Sequence, residues 1–98
     1  MRKLISSGSP YEPRIGFSRA VRVGPFVAVS GTAPIAPDGS VAAPGDLYGQ
    51  TRRCLEIIEQ AIAAAGLGLQ HVIRRGKGLI DPGWLVEIEA DCVAEIEF

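Results

Sequence analysis

The acidic residues near the end of the sequence are the strongest candidates for chemistry. Glu87, Glu89, Asp91, Glu95 and Glu97 alternate with apolar residues over positions 86–98. Strict alternation of this length predicts one long strand with an apolar face and an acidic face. In a cleft, Glu87 or Glu89 would act as a general base or would position a water molecule. The alternative is an acidic face that stays in water and keeps an edge strand from pairing with other chains.

A basic cluster precedes this strand. Arg74, Arg75 and Lys77 surround Gly76 and adjoin Gly78. Arginine offers paired donors to a carboxylate or phosphate, and glycine lets the backbone approach the ligand. The spacing is not that of a P-loop. A charged turn in water is the commoner interpretation, and we predict a turn over residues 76–78.

The two cysteines and the single histidine offer less. Cys54 and Cys92 fall on the apolar sides of a predicted helix and of the last strand, so we expect both in the core. Buried free thiols fit a reducing compartment better than a nucleophilic site. His71 lacks partners at catalytic spacing, which favours a structural or solvated role. Two cysteines and one histidine cannot complete a structural zinc site, and no metal is expected.

The spacing of the apolar residues predicts the strands and the helix that position these side chains. Residues 20–23 alternate, Gly24 and Pro25 interrupt them, and residues 26–30 resume the pattern, which predicts a β-hairpin. Residues 33–45 form a loop. From Asp46, the predicted N-cap, the period becomes helical as far as Gly66, with one apolar stripe of Leu47, Thr51, Cys54, Leu55, Ile58, Ile62 and Ala65.

The remaining segments are shorter. After Ser6 and Ser7, residues 1–19 contain four glycine or proline breaks, and this punctuation predicts an irregular arm with a short strand at residues 3–6. Residues 69–74 predict a brief strand, and residues 81–83 another turn. A hairpin, a helix and a long strand together give an α+β fold, a sheet packed by a helix on one face.

Composition narrows the function classes. The chain has 98 residues, 47% hydrophobic and 21% charged, with a formal charge of −1. These values predict one globular domain over residues 1–98 and exclude the electrostatic footprint of a nucleic-acid binder. No apolar run reaches the roughly 20 residues of a membrane span. Ser, Gly and Pro interrupt the charged N-terminus, so we expect no signal peptide and a cytoplasmic location.

Four segments in order resemble the RidA family, also called YjgF or endoribonuclease L-PSP proteins. They are residues 15–24, residues 27–34, residues 50–52 at the start of the helix, and residues 85–90. The resemblance covers residues 15–74 and 78–94. No one segment is specific alone, but the four in this order are.

The resemblance implies a chorismate-mutase-like (bacillus-type) mixed β-sheet and a homotrimer with clefts between subunits. It implies hydrolysis of reactive enamines and imines to 2-oxo acids and ammonia, without cofactor or metal. Glu87 matches the carboxylate that orients the attacking water. Ser30 and Gly31 match the turn that lines the cleft, and Phe17 stands where the family usually has tyrosine.

Two departures from the family bear on activity. Phe17 lacks the tyrosine hydroxyl. After Arg74 the chain leads straight into a segment that resembles the family's last strand, so a strand, a helix and a strand are missing, together with the arginine that clamps the substrate. Losing such a clamp would cost a factor of about 100 or more in transition-state binding. Arg74 or Arg75 could replace it.

The shortened fold also leaves one helix on a sheet face normally covered by two, so apolar surface would lie bare in a monomer. Neighbouring subunits could cover this surface, the strands could pair differently, or the chain could be an abridged or rearranged version of a longer one.

Three functions remain open. The first is an imine and enamine hydrolase that uses Glu87, and the second is an impaired trimer that binds small carboxylates or a protein partner. The third, RNA cleavage or translational inhibition, is disfavoured because the net charge is near zero and no basic stripe is present.

Overall fold

A computed structural model describes residues 2–9, 11–15, 18–77 and 88–94, without the side chains of residues 14, 15 and 74–77. Its elements are β1 (Arg2–Ile5), α1 (Tyr11–Ile15), β2 (Ala20–Val23), β3 (Phe26–Thr32), α2 (Leu47–Ala64), a 3-10 turn (Leu69–His71), β4 (Val72–Lys77) and β5 (Ile88–Val93). The α+β class predicted from the sequence is confirmed.

The five strands form one sheet in the order β1-β2-β3-β5-β4. Every described pairing is antiparallel, so the expectation of a mixed sheet is corrected in this respect. The reason lies in the position of β5. Strands β3 and β4, joined through α2, run parallel to each other, but β5 lies between them and pairs antiparallel with both. Over its described residues β5 is an interior strand, so Glu89 and Asp91 do not protect a sheet edge, and for these two residues that alternative is wrong.

The hairpin of β2 and β3 forms as predicted. Val23 pairs with Phe26, which leaves Gly24 and Pro25 as a two-residue turn. Gly24 has a φ of 57°, a value open to glycine at little cost, and the proline ring holds the next φ negative. The Ala94 amide donates to the Pro25 carbonyl at 2.7 Å, so the turn also fixes the end of β5.

Helix α2 begins and ends where the sequence predicts. Asp46 has the extended backbone of an N-cap, although its side chain makes no capping hydrogen bond. At the other end Gly66 has a φ of 88°, and Leu67 donates its amide to the Ile62 carbonyl at 3.0 Å while Gly66 donates to Ala63 at 2.9 Å. These two bonds make a Schellman motif, which satisfies two of the free carbonyls of the last turn.

Two basic side chains satisfy further carbonyls at the C-terminus of α2. Lys3 Nζ donates to the Ala64 carbonyl at 2.9 Å, and Arg22 donates through Nη1 to the Ala65 carbonyl. Their charges also complement the negative end of the helix dipole. The helix is thereby fastened to β1 and β2.

The core lies between α2 and one face of the sheet. Ile58 and Ile62 of α2 pack in one cluster with Val27 and Val29 of β3 and with Cys92 of β5. Beside α2 this face is only partly covered. An open groove of about 440 Å³ lies between Leu55, Leu69 and Ile73, and Ile73 is 68% exposed. Bare apolar surface beside a single helix was expected from the sequence.

Three segments differ from expectation. The arm contains the helix α1, whose Tyr11 packs against a small second cluster formed by Ala33 and Ile35 of the loop after β3. Residues 69–71 form a 3-10 turn, and strand begins only at Val72. The turn predicted at residues 76–78 is wrong for Gly76 and Lys77, because these residues pair with Glu89 and Ile88 and extend β4.

The last strand is confirmed over the described residues Ile88–Val93. Ala90 and Cys92 are buried on the side of α2, while Glu89 and Asp91 alternate with them and are half-buried. The rest of the predicted strand, and the turn at residues 81–83, lie outside the described residues. Within the described part of the chain, no helix combines the length and apolar character needed to cross a membrane.

Candidate functional site

A β-bulge in β3 forms the centre of the candidate site. Val29 pairs with Ala90 and Thr32 with Ile88, so three steps along β3 match two steps along β5. The extra residue places Ser30 and Gly31 where the regular ladder is interrupted. Bulges of this kind redirect side chains and backbone groups and are frequent beside active sites.

Ser30 is held to the segment before β2. Its amide donates to the Arg19 carbonyl at 2.9 Å, and its hydroxyl donates to the Ser18 carbonyl at 2.8 Å. The hydroxyl oxygen keeps acceptor capacity, because a hydroxyl has one donor and two lone pairs. Ser30 is therefore fixed in orientation and half-buried.

Arg19 holds the other half of the bulge. Its Nη1 donates to the Gly31 carbonyl at 2.7 Å and to Thr32 Oγ1 at 2.8 Å. Thr32 in turn donates to the Ser30 carbonyl at 2.9 Å. Bonds from a charged donor are about twice as strong as neutral ones, so the bulge is rigidly constrained.

Glu12 compensates the charge of this arginine. Its Oε2 lies 3.7 Å from Arg19 Nε, and both residues are nearly inaccessible, at 4% and 5% exposure. The Ser7 amide and hydroxyl donate to the same carboxylate. Burial acts to raise the pKa of Glu12, but the hydrogen bonds of Ser7 and Ser6 and the charge of Arg19 outweigh it and leave this pKa below its usual value.

Ser30 and Gly31 are the predicted site residues that the structure brings together. Phe17 and Glu87 lie outside the described residues. The next predicted carboxylate, Glu89, is on β5, where it pairs with Gly76. Ile88, which Glu87 precedes in the sequence, pairs with Thr32 at the end of the bulge.

The structure separates the two arginines from the bulge within one chain. Arg74 pairs with Asp91 and Arg75 with Ala90, on the far side of β5 from β3. Arg75 shares its partner Ala90 with Val29, so its backbone lies two strand spacings, about 10 Å, from the start of the bulge. Within one protomer β5 therefore separates the backbone of the two arginines from the Ser30–Gly31 bulge.

The cysteines and the histidine have structural surroundings. Cys54 and Cys92 are thiols outside any disulfide, and both are buried. Burial, followed by the charge of Asp91, raises the pKa of the Cys92 thiol, which makes the thiolate scarce. His71 accepts the Gly68 amide on Nδ1 at 3.0 Å and so caps the 3-10 turn.

Sequence reasoning missed Glu12 and Arg19 as parts of the site. Arg19 stands directly before the alternating residues of β2, and Glu12 lies in a segment interpreted as an irregular arm. The sequence feature that could have indicated the pair is the opposite charge of two residues on either side of Gly16. Nothing in their spacing, however, predicts that both side chains are buried.

This arrangement can do two things chemically. The bulge presents a half-buried hydroxyl and an oriented backbone, which suit hydrogen bonding to a small polar ligand. The bulge ends at Thr32, which pairs with Ile88, the first described residue of β5 and the residue after Glu87 in the sequence. The carboxylate at this position of the sequence is the candidate to accept a proton from water.

Comparison with known proteins gives one family. The family model described as Endoribonuclease L-PSP matches residues 8–76. An uncharacterised protein of Streptomyces coelicolor is 43% identical over 70 residues, which are 71% of this chain and 52% of that protein. A RutC family protein of Pyrococcus horikoshii is 34% identical over 74 residues, 76% of this chain and 59% of that protein. The chain thus spans little more than half the length of these relatives.

Comparison with solved structures gives the same family. A Mycobacterium tuberculosis member of the YjgF/YER057c/UK114 family is 33% identical and superimposes with a TM-score of 0.82, covering 96% of this chain and 100% of that one. The YjgF product of E. coli has a TM-score of 0.77 over 95% of this chain and 99% of that one, and at 19% identity it supports the fold alone.

Proposed function

Because the chain belongs to the endoribonuclease L-PSP family, also called the YjgF or RidA family, we propose that it hydrolyses reactive enamines and imines to 2-oxo acids and ammonia. We place the reaction in a cleft between protomers of a homotrimer. The activity needs no cofactor or metal in this proposal, and its substrates are small imino acids such as 2-iminobutanoate.

The observation that carries the proposal is the bulge at Ser30 and Gly31. Its register pairs Thr32 with Ile88, and Glu87 is the residue before Ile88. Ser30 and Gly31, two of the predicted substrate-binding residues, therefore lie at the end of the β3–β5 pair where the described part of β5 begins. We propose that Glu87 contributes its carboxylate at this same end. A hydrolytic site needs a carboxylate held close to a rigid backbone that orients the substrate.

The chemistry requires one water and one proton acceptor. Glu87 accepts a proton from water as the water oxygen attacks the imine carbon, and it passes this proton to the imine nitrogen, which gives a carbinolamine. The carbinolamine hydroxyl then gives its proton to Glu87, which delivers it to the nitrogen. The C–N bond breaks, the nitrogen leaves as ammonia, and the carbon–oxygen bond becomes the carbonyl of the 2-oxo acid. General base catalysis of this kind contributes about 100-fold to 10,000-fold in rate.

The open face of the sheet supports an assembly. Val27 and Val29 point to α2, so Phe26 and Ala28 point to the opposite face. Cross-strand partners share a face, which places Val21 and Leu4 beside Ala28. Phe26 is 58% exposed and Leu4 62%. An apolar sheet face of this kind suits contact with other copies.

In this proposal a neighbouring protomer also supplies the arginine that binds the substrate carboxylate. Arg74 and Arg75 lie across β5 from the bulge of their own chain. We propose that one of them reaches the bulge of a partner and binds the substrate carboxylate there, as the missing family arginine would. Phe17 then contributes an apolar contact in place of a tyrosine hydroxyl.

The test is ammonia release from 2-iminobutanoate generated in solution by an amino-acid-cleaving enzyme. Wild-type protein should accelerate release over the spontaneous rate. Glu87→Gln, which keeps the shape and removes the base, should lower the rate by about 100-fold or more. Equal rates with both proteins would refute the role of Glu87. Glu59→Gln, on the exposed side of α2, is the matched control and should not change the rate.

The separation of the arginines from the bulge favours a second candidate, a trimer that binds small carboxylates without turnover. Calorimetric titration with 2-oxobutanoate or benzoate distinguishes the two. Heat of binding together with a spontaneous rate of ammonia release would support binding alone. Absence of heat with either ligand would count against this second function.

A further inference from the structure

The Glu12–Arg19 pair has no part in the proposed reaction, yet the fold buries nearly all of its surface. Charges of either sign are costly to take out of water unless they are paired and hydrogen-bonded. Both conditions are met here, by a separation of 3.7 Å between Nε and Oε2 and by donors from Ser7. Buried ion pairs often add little to stability, so stability alone does not account for this one.

The contacts of Arg19 show which part of the fold the pair holds in place. Its Nη1 reaches the Gly31 carbonyl at 2.7 Å and Thr32 Oγ1 at 2.8 Å, the two positions that follow Ser30 in the bulge. The carbonyl of Gly31 would otherwise be free to turn, because the ladder to β5 is interrupted between Val29 and Thr32. Arg19 is therefore the contact that sets its direction.

Glu12 in turn sets the position of Arg19 from a different segment. It lies on α1, and Ser7 of the arm donates to it through both amide and hydroxyl. The charge of Arg19 acts on the Glu12 carboxylate, and Ser6 and Ser7 form hydrogen bonds with it. A continuous chain of contacts thus runs from the arm through Glu12 and Arg19 to Gly31.

We propose that Glu12 and Arg19 are a positioning pair, which fixes the direction of the Gly31 carbonyl and of the Thr32 hydroxyl in the wall of the proposed cleft, residues 30–32. The geometry of this wall then depends on the N-terminal arm, residues 1–19. The pair touches no reacting atom. The importance of the wall for ligands rests on the proposed function, but the control of its geometry does not.

The geometric part is tested by nuclear magnetic resonance on the full chain without ligand. As pH falls below the usual value of 4.5 for a glutamate, the Gly31 and Thr32 amide signals should move with the same midpoint as the Glu12 carboxyl signal. Glu12→Gln should abolish that movement. Movement that persists unchanged in Glu12→Gln would overturn the proposal.

Arg19→Lys keeps the charge and removes the fork, so it should displace the Gly31 and Thr32 signals at neutral pH. The matched control is Arg22→Lys, an arginine of β2 that donates to the Gly24 and Ala65 carbonyls far from the bulge. It should leave both signals in place. If Arg19→Lys fails to fold, Thr32→Val removes one acceptor of Arg19, leaves the ion pair, and should still displace the Gly31 signal. An unmoved Gly31 signal overturns the proposal.

The functional part is read from ligand affinity. Where wild-type protein binds benzoate, Arg19→Lys should weaken binding by about 10-fold to 100-fold while Arg22→Lys does not, because displacement by about 1 Å is enough for such a loss. Equal affinity of Arg19→Lys and wild type would overturn the positioning role. Failure of wild-type protein to bind any carboxylate would refute the proposed function instead, and the amide signals would then still decide whether the pair controls the bulge.

Discussion

Thr32 of β3 pairs with Ile88 of β5 on the far side of a one-residue bulge. This pairing relates two segments more than fifty residues apart in sequence: the hairpin strand that carries Ser30 and Gly31, and the strand that follows Glu87. The proposed chemistry depends on this relationship. A regular ladder would place Ser30 and Gly31 in cross-strand pairs and leave their backbone groups occupied.

The open sheet face yields a prediction about assembly. Phe26→Asp places a charge on the exposed apolar surface, so we expect a trimer of the wild type to dissociate, because a buried unpaired charge costs several kcal/mol. Native mass spectrometry would measure the change. Tyr48→Asp is the control, since Tyr48 is 75% exposed on α2, away from this face. A wild-type protein that is monomeric at micromolar concentration would contradict the prediction.

Acid should destabilise the fold through Glu12. Its pKa is lower in the folded state than in the unfolded state, so the unfolded chain binds more protons between the two values. The stabilisation is present above the unfolded value, near 4.5, and is lost as pH falls through the folded value. Urea unfolding at pH 6 and pH 3 should therefore show a larger loss for wild type than for Glu12→Gln.

Glu56→Gln is the comparison variant for this measurement. Glu56 belongs to exposed pairs with Arg52 and Arg53, which contribute little in water. It should keep the pH dependence of the wild type. A wild-type pH dependence that survives in Glu12→Gln would assign the acid sensitivity to other groups.

The hairpin and the helix were predictable because their signals are local. The period of three and four over residues 47–65 and the glycine at position 66 specify α2 without reference to anything distant in the chain. Gly24 and Pro25 do the same for the hairpin turn. In both cases the backbone preferences of a few residues decide the structure.

Elements that depend on distant contacts were predicted less well. Helix α1 has only five residues and includes Pro13, so its stability comes from packing of Tyr11 on the loop and not from helix propensity. Gly76 and Lys77 look like a turn, but pairing with β5 extends the strand through them. Tertiary contacts override weak local preferences in this way.

The site was predictable only in part for the same reason. Ser30 and Gly31 came from a resemblance, since nothing in their types predicts a bulge. Arg19 and Glu12 are ordinary surface residues by type, and their burial follows from the meeting of the arm with β3. No periodicity in the sequence encodes that meeting.

The basic side chains at the end of α2 should contribute unequally to stability. Arg22→Ala removes donors from the Ala65 and Gly24 carbonyls, and because the bond to Ala65 is half-buried we expect a loss of about 1–3 kcal/mol in the free energy of unfolding. Lys3→Ala frees an exposed carbonyl that water can satisfy, so its cost should stay under about 1 kcal/mol. Urea unfolding of both variants checks the order. A larger loss for Lys3→Ala would contradict it.

The thiols should be protected in the folded protein. Cys54 and Cys92 are fully buried, so labelling by an aromatic disulfide requires opening of the structure and should be at least about 100-fold slower than in urea. The raised pKa of Cys92 further means that its stabilisation is present below the unfolded value of 9.0 and is lost as pH rises through the folded value. Cys92→Ala should reduce the loss of stability at alkaline pH. Rapid labelling of two thiols in the native protein would show that the core is open.

The proposed function depends most on the location of the chemistry between protomers, and the activity of dissociated protein tests this directly. The measurement is the rate of ammonia release per chain for Phe26→Asp, at a concentration where native mass spectrometry finds only folded monomer, compared with wild type and with Tyr48→Asp. We predict that the monomer releases ammonia at the spontaneous rate while Tyr48→Asp matches wild type. A folded monomer that hydrolyses the imine at the wild-type rate per chain would contradict the account.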